Sequence, residues 1–252
     1  MRIKTPAEIE KMREGGKRLH DVLLMLLEKV RPGISTYELD VFAFDQIKKI
    51  GGKPSFLYYG KEFGNPYPAT VCISLNEEVV HGIPSKEKIV QEGDLISLDI
   101  GMWFEGLATD TARTIIVGKS PSKRASELVE ATKESLYAGI ETFFPGSTLR
   151  DYAYAVENIA KKGGFSVVRD LIGHGVGHAV HEAPDIANYV AGSSREKVEE
   201  GMVLALEPMF TLGTWKVREL SDGWTFSTAD GSLSAHFEDT VAITKNGFEI
   251  LT

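Results

Sequence analysis

Three polar positions recur in the same order in the two halves of this chain: a histidine, a carboxylate closing an apolar run, and a second carboxylate. Glu92-Gly93-Asp94-Leu95-Ile96-Ser97-Leu98-Asp99 parallels Glu200-Gly201-Met202-Val203-Leu204-Ala205-Leu206-Glu207. Asp110-Thr111-Ala112-Arg113-Thr114-Ile115 parallels Glu238-Asp239-Thr240-Val241-Ala242-Ile243, and His81-Gly82-Ile83-Pro84 parallels His181-Glu182-Ala183-Pro184. Halves closed about a pseudo-twofold axis would bring Asp99, Asp110, Glu207 and Glu238 together. Acids crowded out of water repel one another and lose solvation, which raises their pKa values. Divalent cations relieve both costs, because carboxylate oxygens suit hard and borderline metals. The chemistry expected of the pattern is metal binding.

His174 lies in Ile172-Gly173-His174-Gly175-Val176-Gly177-His178. Glycines on both sides of one imidazole argue against a helix interior and let the backbone pass close to a buried ion or substrate. The spacing to His178 is not the His-Glu-x-x-His zinc motif, and His178 receives no role. Singly, each residue has an ordinary reading. An acid ending an apolar strand commonly caps a loop, Asp-Thr is frequent turn chemistry, and a histidine in a Gly-rich turn is more often hydrogen-bonded than ligating. Their recurrence at related positions is what favours a shared site.

The elements that must position them are legible. Thr5 caps a helix, Pro6 takes its first position and Glu8 closes a capping box. Ile9, Met12, Gly16, Leu19, Leu23, Leu26, Leu27 and Val30 follow at helical spacing, and Arg31-Pro32-Gly33 ends the helix. Ser35 with Glu38 opens a second helix that runs to Gly51-Gly52. The second half repeats this order: a helical pattern from Ser122 to about Phe143, the turn Pro145-Gly146-Ser147-Thr148, then a helix ending at Gly163-Gly164. Strands are expected at Thr70–Ser74, Asp94–Ile100, Ala112–Val117, Met202–Phe210 and Glu238–Thr244. The pattern predicts an α+β fold, with strands packed under helices. It predicts one domain made of two halves, roughly 1–120 and 121–252, neither holding a complete site.

Composition sets the bounds. The 252 residues are 42% hydrophobic and 25% charged, the range of an ordinary soluble globular protein able to bury a large core. A net charge of -8 argues against a whole-surface nucleic-acid binder. The one cysteine, Cys72, excludes an intrachain disulfide and fits a reducing compartment. Met1 to Pro6 holds no apolar signal core, and Val22–Leu27, the longest apolar run, is too short to span a bilayer. A cytoplasmic protein without membrane contact is expected.

Over nearly its full length the chain resembles the type I methionine aminopeptidases. The resemblance is carried by Val71-Cys72-Ile73-Ser74-Leu75-Asn76-Glu77 running to His81-Gly82-Ile83-Pro84, then Asp99 and Asp110, then Gly173-His174-Gly175-Val176-Gly177. It continues in Leu206-Glu207-Pro208-Met209 and in Asp222-Gly223-Trp224-Thr225 running to Ser232-Leu233-Ser234-Ala235-His236-Phe237-Glu238. It implies a pita-bread α+β fold, in which helices pack on a curved antiparallel sheet built from duplicated halves. It implies a dinuclear centre of two divalent ions (Co, Mn, Fe or Zn) with ligands Asp99, Asp110, His174, Glu207 and Glu238. Asp99 would bind one ion and His174 with Glu207 the other, while Asp110 and Glu238 would bridge both. It implies removal of the N-terminal methionine from nascent proteins with a small second residue. A bridging hydroxide would attack the scissile carbonyl, and one ion would hold the free α-amine. Glu207 would also carry the proton to the leaving amine. His81 would lie near the leaving nitrogen and His181 near the carbonyl oxygen, where it would stabilise the oxyanion.

Tyr67, Cys72 and Trp224 match the positions of the family's methionine pocket, where sulfur–aromatic contact with Trp224 would favour a thioether by about 1 kcal/mol. Two features of the pocket's rim depart from the family pattern. Val180 stands where related enzymes often carry Phe, and the loop Ser55-Phe56-Leu57-Tyr58-Tyr59-Gly60-Lys61-Glu62-Phe63-Gly64 differs in length and residues. His20 and His236 read as structural or surface residues, with His236 placed to support Glu238. The competing readings are an X-Pro-type peptidase of the same fold and a non-catalytic pita-bread protein that binds RNA or a partner. The first usually carries a large additional N-terminal domain, for which this chain has no room, and the second typically has degraded ligands. The type II aminopeptidases insert a helical segment in their second half, and Glu207 to Glu238 leaves no place for it. Expected partners are nascent N-termini and the ribosome surface, with no membrane, no specific nucleic acid and a monomeric state.

Overall fold

The computed structural model describes residues 3–144 and 146–252. Met1, Arg2 and Pro145, the last expected to open the turn before the fourth helix, lie outside the described residues. Helix α1 (Pro6–Lys29) starts with Thr5 accepting from the Glu8 N–H and Glu8 accepting from the Thr5 N–H at 2.8 Å. Ser35 and Glu38 make the same reciprocal cap on α2 (Thr36–Lys49). Ser122 caps α3 (Lys123–Ile140), and Asp151 in α4 (Leu149–Gly163) accepts from the Thr148 N–H at 2.7 Å. Each cap satisfies N–H groups that a helix start leaves orphaned and contributes about 1 kcal/mol.

In the first half lie β1 (Lys53–Pro54), β2 (Val71–Leu75), β3 (Glu78–Val80), β4 (Leu95–Phe104) and β5 (Leu107–Ile116). The second half holds β6 (Ser166–Val167), β7 (Gly173–Gly175), β8 (Glu182–Ile186), β9 (Val203–Leu206) and β10 (Met209–Thr211). It continues with β11 (Val217–Glu219), β12 (Phe226–Thr228), β13 (Ser234–His236), β14 (Glu238–Thr244) and β15 (Gly247–Ile250). The main sheet runs β1-β4-β5-β14-β9-β7-β8, with β2 also on β4 and β15 also on β14. Two small sheets, β13-β10-β6 and β11-β12-β3, flank it.

Each half buries most of its helix pair on its own strands, while Met12 of α1 also packs with Val203, Ala205 and Ala242 of the second half. Leu19, Leu23 and Leu26 of α1 and Leu39 of α2 pack with Leu98 and Ile100 of β4. Leu136 of α3 and Val156 of α4 pack with Leu206 of β9 and Val241 of β14. Side chains alternate across a strand, so the residues between these, Asp99, Glu207 and Glu238 among them, face the other side. The fold is the α+β arrangement expected, a curled antiparallel sheet carrying four α-helices among the described residues.

Three strand expectations need correction. β4 and β5 run longer, because Glu105 and Gly106 both take positive φ (47° and 83°) and close a two-residue hairpin with Phe104 opposite Leu107. Asp99 and Asp110 therefore sit within strands, neither at a strand end nor in a turn. The expected strand Met202–Phe210 is two strands in different sheets, parted at Glu207-Pro208. Pro208 has no N–H to continue the ladder, so the chain leaves the main sheet just after Glu207.

A buried ion pair ties the amino-terminal segment to the loop that carries His181. Lys4, only 2% exposed, donates to Glu182 Oε2 at 2.9 Å. Glu182 Oε1 accepts from the N–H groups of Ala179 and His178. His178, which the sequence left without a role, places Nε2 2.8 Å from Glu8 Oε1 and so links this loop to α1. Lys4→Met leaves Glu182 without its counter-charge and is expected to lower stability by roughly 3 kcal/mol. Urea unfolding checks this; an unchanged midpoint would mean the pair is energetically neutral.

Candidate metal centre and adjoining cleft

Adjacent strands β4, β5, β14, β9 and β7 supply Asp99, Asp110, Glu238, Glu207 (one residue past β9) and His174 in that order. Asp99 lies opposite Ala112 of β5, and Ala112 lies opposite Glu238 on its other side. The small Ala112 side chain leaves the space between the two carboxylates open, and Asp110 shares its face. His174 stands opposite Ala205, on the same strand face as Glu207. The glycines around His174 have a steric reason: a Cβ at Gly173 would fall 2.6 Å from Ala205 O, and one at Gly175 would fall 2.4 Å from Ala183 O. No side chain fits there without moving backbone.

Possible ligand atoms of Asp110, His174 and Glu238 all lie within 4.8 Å of one another, and all three residues are buried. His174 Nε2 is 3.4 Å from Glu207 Oε1, and Asp99 abuts Asp110. The five residues line one open cavity of about 680 Å³, its mouth included, a size that holds a small ligand. His174 Nδ1 donates to Gly175 O at 2.9 Å, which leaves the Nε2 lone pair facing the carboxylates.

Burial and then mutual repulsion push the carboxyls of Asp99, Glu207 and Glu238 well above the usual range. Burial raises Asp110 to about 7. Among the described residues, buried Asp99 Oδ1 and Glu238 Oε1 have no hydrogen-bond partner. An unpaired buried acceptor costs about 1–3 kcal/mol, so such atoms are rare. Crowded carboxylates, orphaned oxygens and one imidazole lone pair make a donor set that fits divalent cations of the Mn, Fe, Co or Zn type.

Beside the acids the cleft is apolar. Phe56, Tyr67, Ala69, Cys72 and Val180 form a buried cluster against which Trp224 packs. Tyr67 meets Trp224 edge-on at 5.3 Å and donates its hydroxyl to Gly82 O at 2.9 Å. Cys72 lies opposite Asp99 in the sheet, and burial keeps its thiol protonated. His81, with φ of 58°, and His181 both line the cavity. Burial, then the neighbouring His181, pushes the His81 imidazole down to about 4. His236 is buried, its ring nitrogens have no hydrogen-bond partner among the described residues, and its Nε2 is 3.7 Å from Glu207 Oε2. It therefore stands behind Glu207, whereas the sequence pointed to Glu238. Sequence reasoning set the 55–64 loop at the pocket's rim, and Phe56 and Tyr59 of that loop line the cavity; it missed Val80, Leu171 and Ile172. Nothing local marked those three.

This curled sheet with an acid-rich, metal-fitting face defines a metallopeptidase of the pita-bread type. The chain belongs to metallopeptidase family M24, whose model matches residues 10–245. It is similar to the methionine aminopeptidase of Aquifex aeolicus, 47% identical over 97% of this chain and 96% of the relative. It is also similar to that of Clostridium acetobutylicum, 45% identical over 99% and 98%. Among solved structures, the methionine aminopeptidase of Thermotoga maritima superposes with a TM-score of 0.95 at 43% identity, covering 100% of this chain and 99% of that one. The prolidase of Pyrococcus furiosus shares the fold at a TM-score of 0.78 and 26% identity, and 65% of that chain is covered.

Proposed function

We infer that this chain is a metal-dependent aminopeptidase that removes the N-terminal methionine from newly made proteins, with a small second residue preferred. The observation that carries the reading is the meeting of Asp99, Asp110, His174, Glu207 and Glu238 in a cavity whose other wall is the apolar Tyr67–Cys72–Trp224 surface. These five residues would hold two divalent ions, because four carboxylates balance two such charges. Bound there, the ions would polarise the scissile carbonyl and lower the pKa of water toward neutrality.

The remaining work falls to the chain's own side chains. Tyr67, Cys72 and Trp224 take the methionine side chain, with Trp224 offering its ring to the thioether. His81 and His181 flank the scissile peptide: His81 meets the leaving nitrogen, and His181 donates to the carbonyl oxygen as negative charge develops on it. Glu207 carries a proton to the leaving amine. The two halves act as one catalytic domain, since each supplies only part of the site. Among the described residues no helix is long and apolar enough to cross a membrane. We assign the action to nascent chains leaving the ribosome, in the cytoplasm, by a monomer.

The test is peptide cleavage by the full chain loaded in turn with Mn, Co, Fe and Zn. Methionine release from Met-Ala-Ser, with an X-Pro peptide left intact, is expected. Cleavage of the X-Pro peptide instead would favour the prolidase-like activity, and no methionine release with any metal would defeat the proposal.

A further inference from the structure

The geometry points to Tyr59 as the residue that fixes the tautomer and orientation of His181, so that the imidazole presents its Nε2–H to the cleft. The inference rests on the aminopeptidase reading and deepens it: a donor at Nε2 is what a substrate carbonyl requires. The Tyr59 hydroxyl lies 2.7 Å from His181 Nδ1, and the two rings meet edge-on at 5.0 Å. The His181 ring also meets His174 edge-on at 4.3 Å, so two rings pack against the imidazole.

Hydrogen-bond satisfaction decides the direction of the bond. Burial, with Glu62 adding to it, raises the Tyr59 phenol above its ordinary value, so it keeps its proton. At a pH above the ordinary imidazole value of about 6.5, His181 is neutral and carries a single N–H. Among the described residues, His181 Nδ1 is the partner of that hydroxyl. If Nδ1 carried the proton, it would donate to the phenol oxygen, and the O–H would have no acceptor among the described residues and would turn to solvent. With the phenol donating, both groups are paired and the imidazole proton sits on Nε2.

Tyr59 is also well anchored. Its N–H donates to Phe56 O and its carbonyl accepts from the Tyr67 N–H, both at 2.8 Å, while Tyr58 N–H donates to Tyr67 O at 2.8 Å. These bonds close the neck of the loop between residues 59 and 67. The loop excursion therefore begins and ends on cleft residues, and Tyr59 acts as a positioning residue for His181.

Tyr59→Phe keeps the ring and removes the hydroxyl. With the metal that best supports methionine release, kcat on Met-Ala-Ser is expected to fall roughly 10–100-fold, the usual effect of losing an orienting partner, with KM little changed. In a His181→Ala background the same substitution should cause no further loss, because it acts through the imidazole. A long-range proton–nitrogen spectrum of the zinc-loaded, nitrogen-labelled full chain reads the tautomer without reference to activity. His181, identified among the six histidines by its absence from His181→Gln, should show a protonated Nε2 and a bare Nδ1, and Tyr59→Phe should shift it toward a mixture. A wild-type spectrum with the proton on Nδ1, an unchanged kcat, or a further loss in the His181→Ala background would overturn the inference. Absence of methionine release by the wild type would sink the functional reading and leave the spectral test of the tautomer standing.

Discussion

Glu207→Gln is expected to lower kcat for methionine release by about 10²–10⁴-fold, the range of a general acid–base contribution. The same change should make the metal-free protein more stable. The two effects have opposite signs for one physical reason. Glu207 is held in a buried cluster where desolvation, then Asp99 and Asp110, oppose its ionisation. Glutamine has the same shape and no charge, so it relieves the repulsion and removes the group that moves the proton. The measurement pairs steady-state kinetics with thermal melts in chelator at pH 8. A wild-type kcat would remove Glu207 from the proton path, and a lowered metal-free midpoint would show that its carboxylate is stabilised by partners other than cations.

Removal of metal is expected to reverse the sign of the protein's pH dependence above neutrality. Asp110 titrates near 7 in the fold, against 3.8 for the ordinary group, and Asp99, Glu207 and Glu238 are raised in the same direction. A raised acid keeps its proton in the native state after the unfolded chain has lost its own. Its contribution is complete below the unfolded pKa and is lost as pH rises through the folded one, at about 1.4 kcal/mol per pH unit for each such proton. His81, His174 and His236, pushed down to about 4, 4 and 3 by burial, act oppositely between those values and the ordinary 6.5. The clean interval therefore lies above pH 6.5, where the metal-free protein should lose stability as pH rises.

Cations bind the ionised carboxylates, so the metal-loaded protein should gain in the same interval. At metal a thousandfold above its dissociation constant the gain is about 4 kcal/mol. Calorimetric midpoints at pH 6.5, 7.5 and 8.5, with chelator and with metal, distinguish the two slopes. A metal-free midpoint that climbs across this range would contradict the account of a self-repelling acid cluster.

Much of this molecule is written in local rules. Thr5 with Glu8 and Ser35 with Glu38 are capping boxes readable at four-residue range, and both form as read. Alternation alone places Asp99 on the opposite strand face from Leu98 and Ile100, whatever the strand's neighbours. The paired acids and histidines, and the resemblance built on them, came from order along the chain. Turn chemistry was equally local and was passed over: Glu105-Gly106 extended two strands, and Pro208 broke one strand in two. Tertiary structure decided what local rules cannot express. It set β14 between β5 and β9, which draws acids from distant parts of the chain into one cavity. It brought Glu8 to His178, Lys4 to Glu182 and Tyr59 to His181. A side chain's own segment sets the face it occupies; the partner waiting there is chosen by how separate layers pack, and that choice leaves no mark on the spacing of nearby residues.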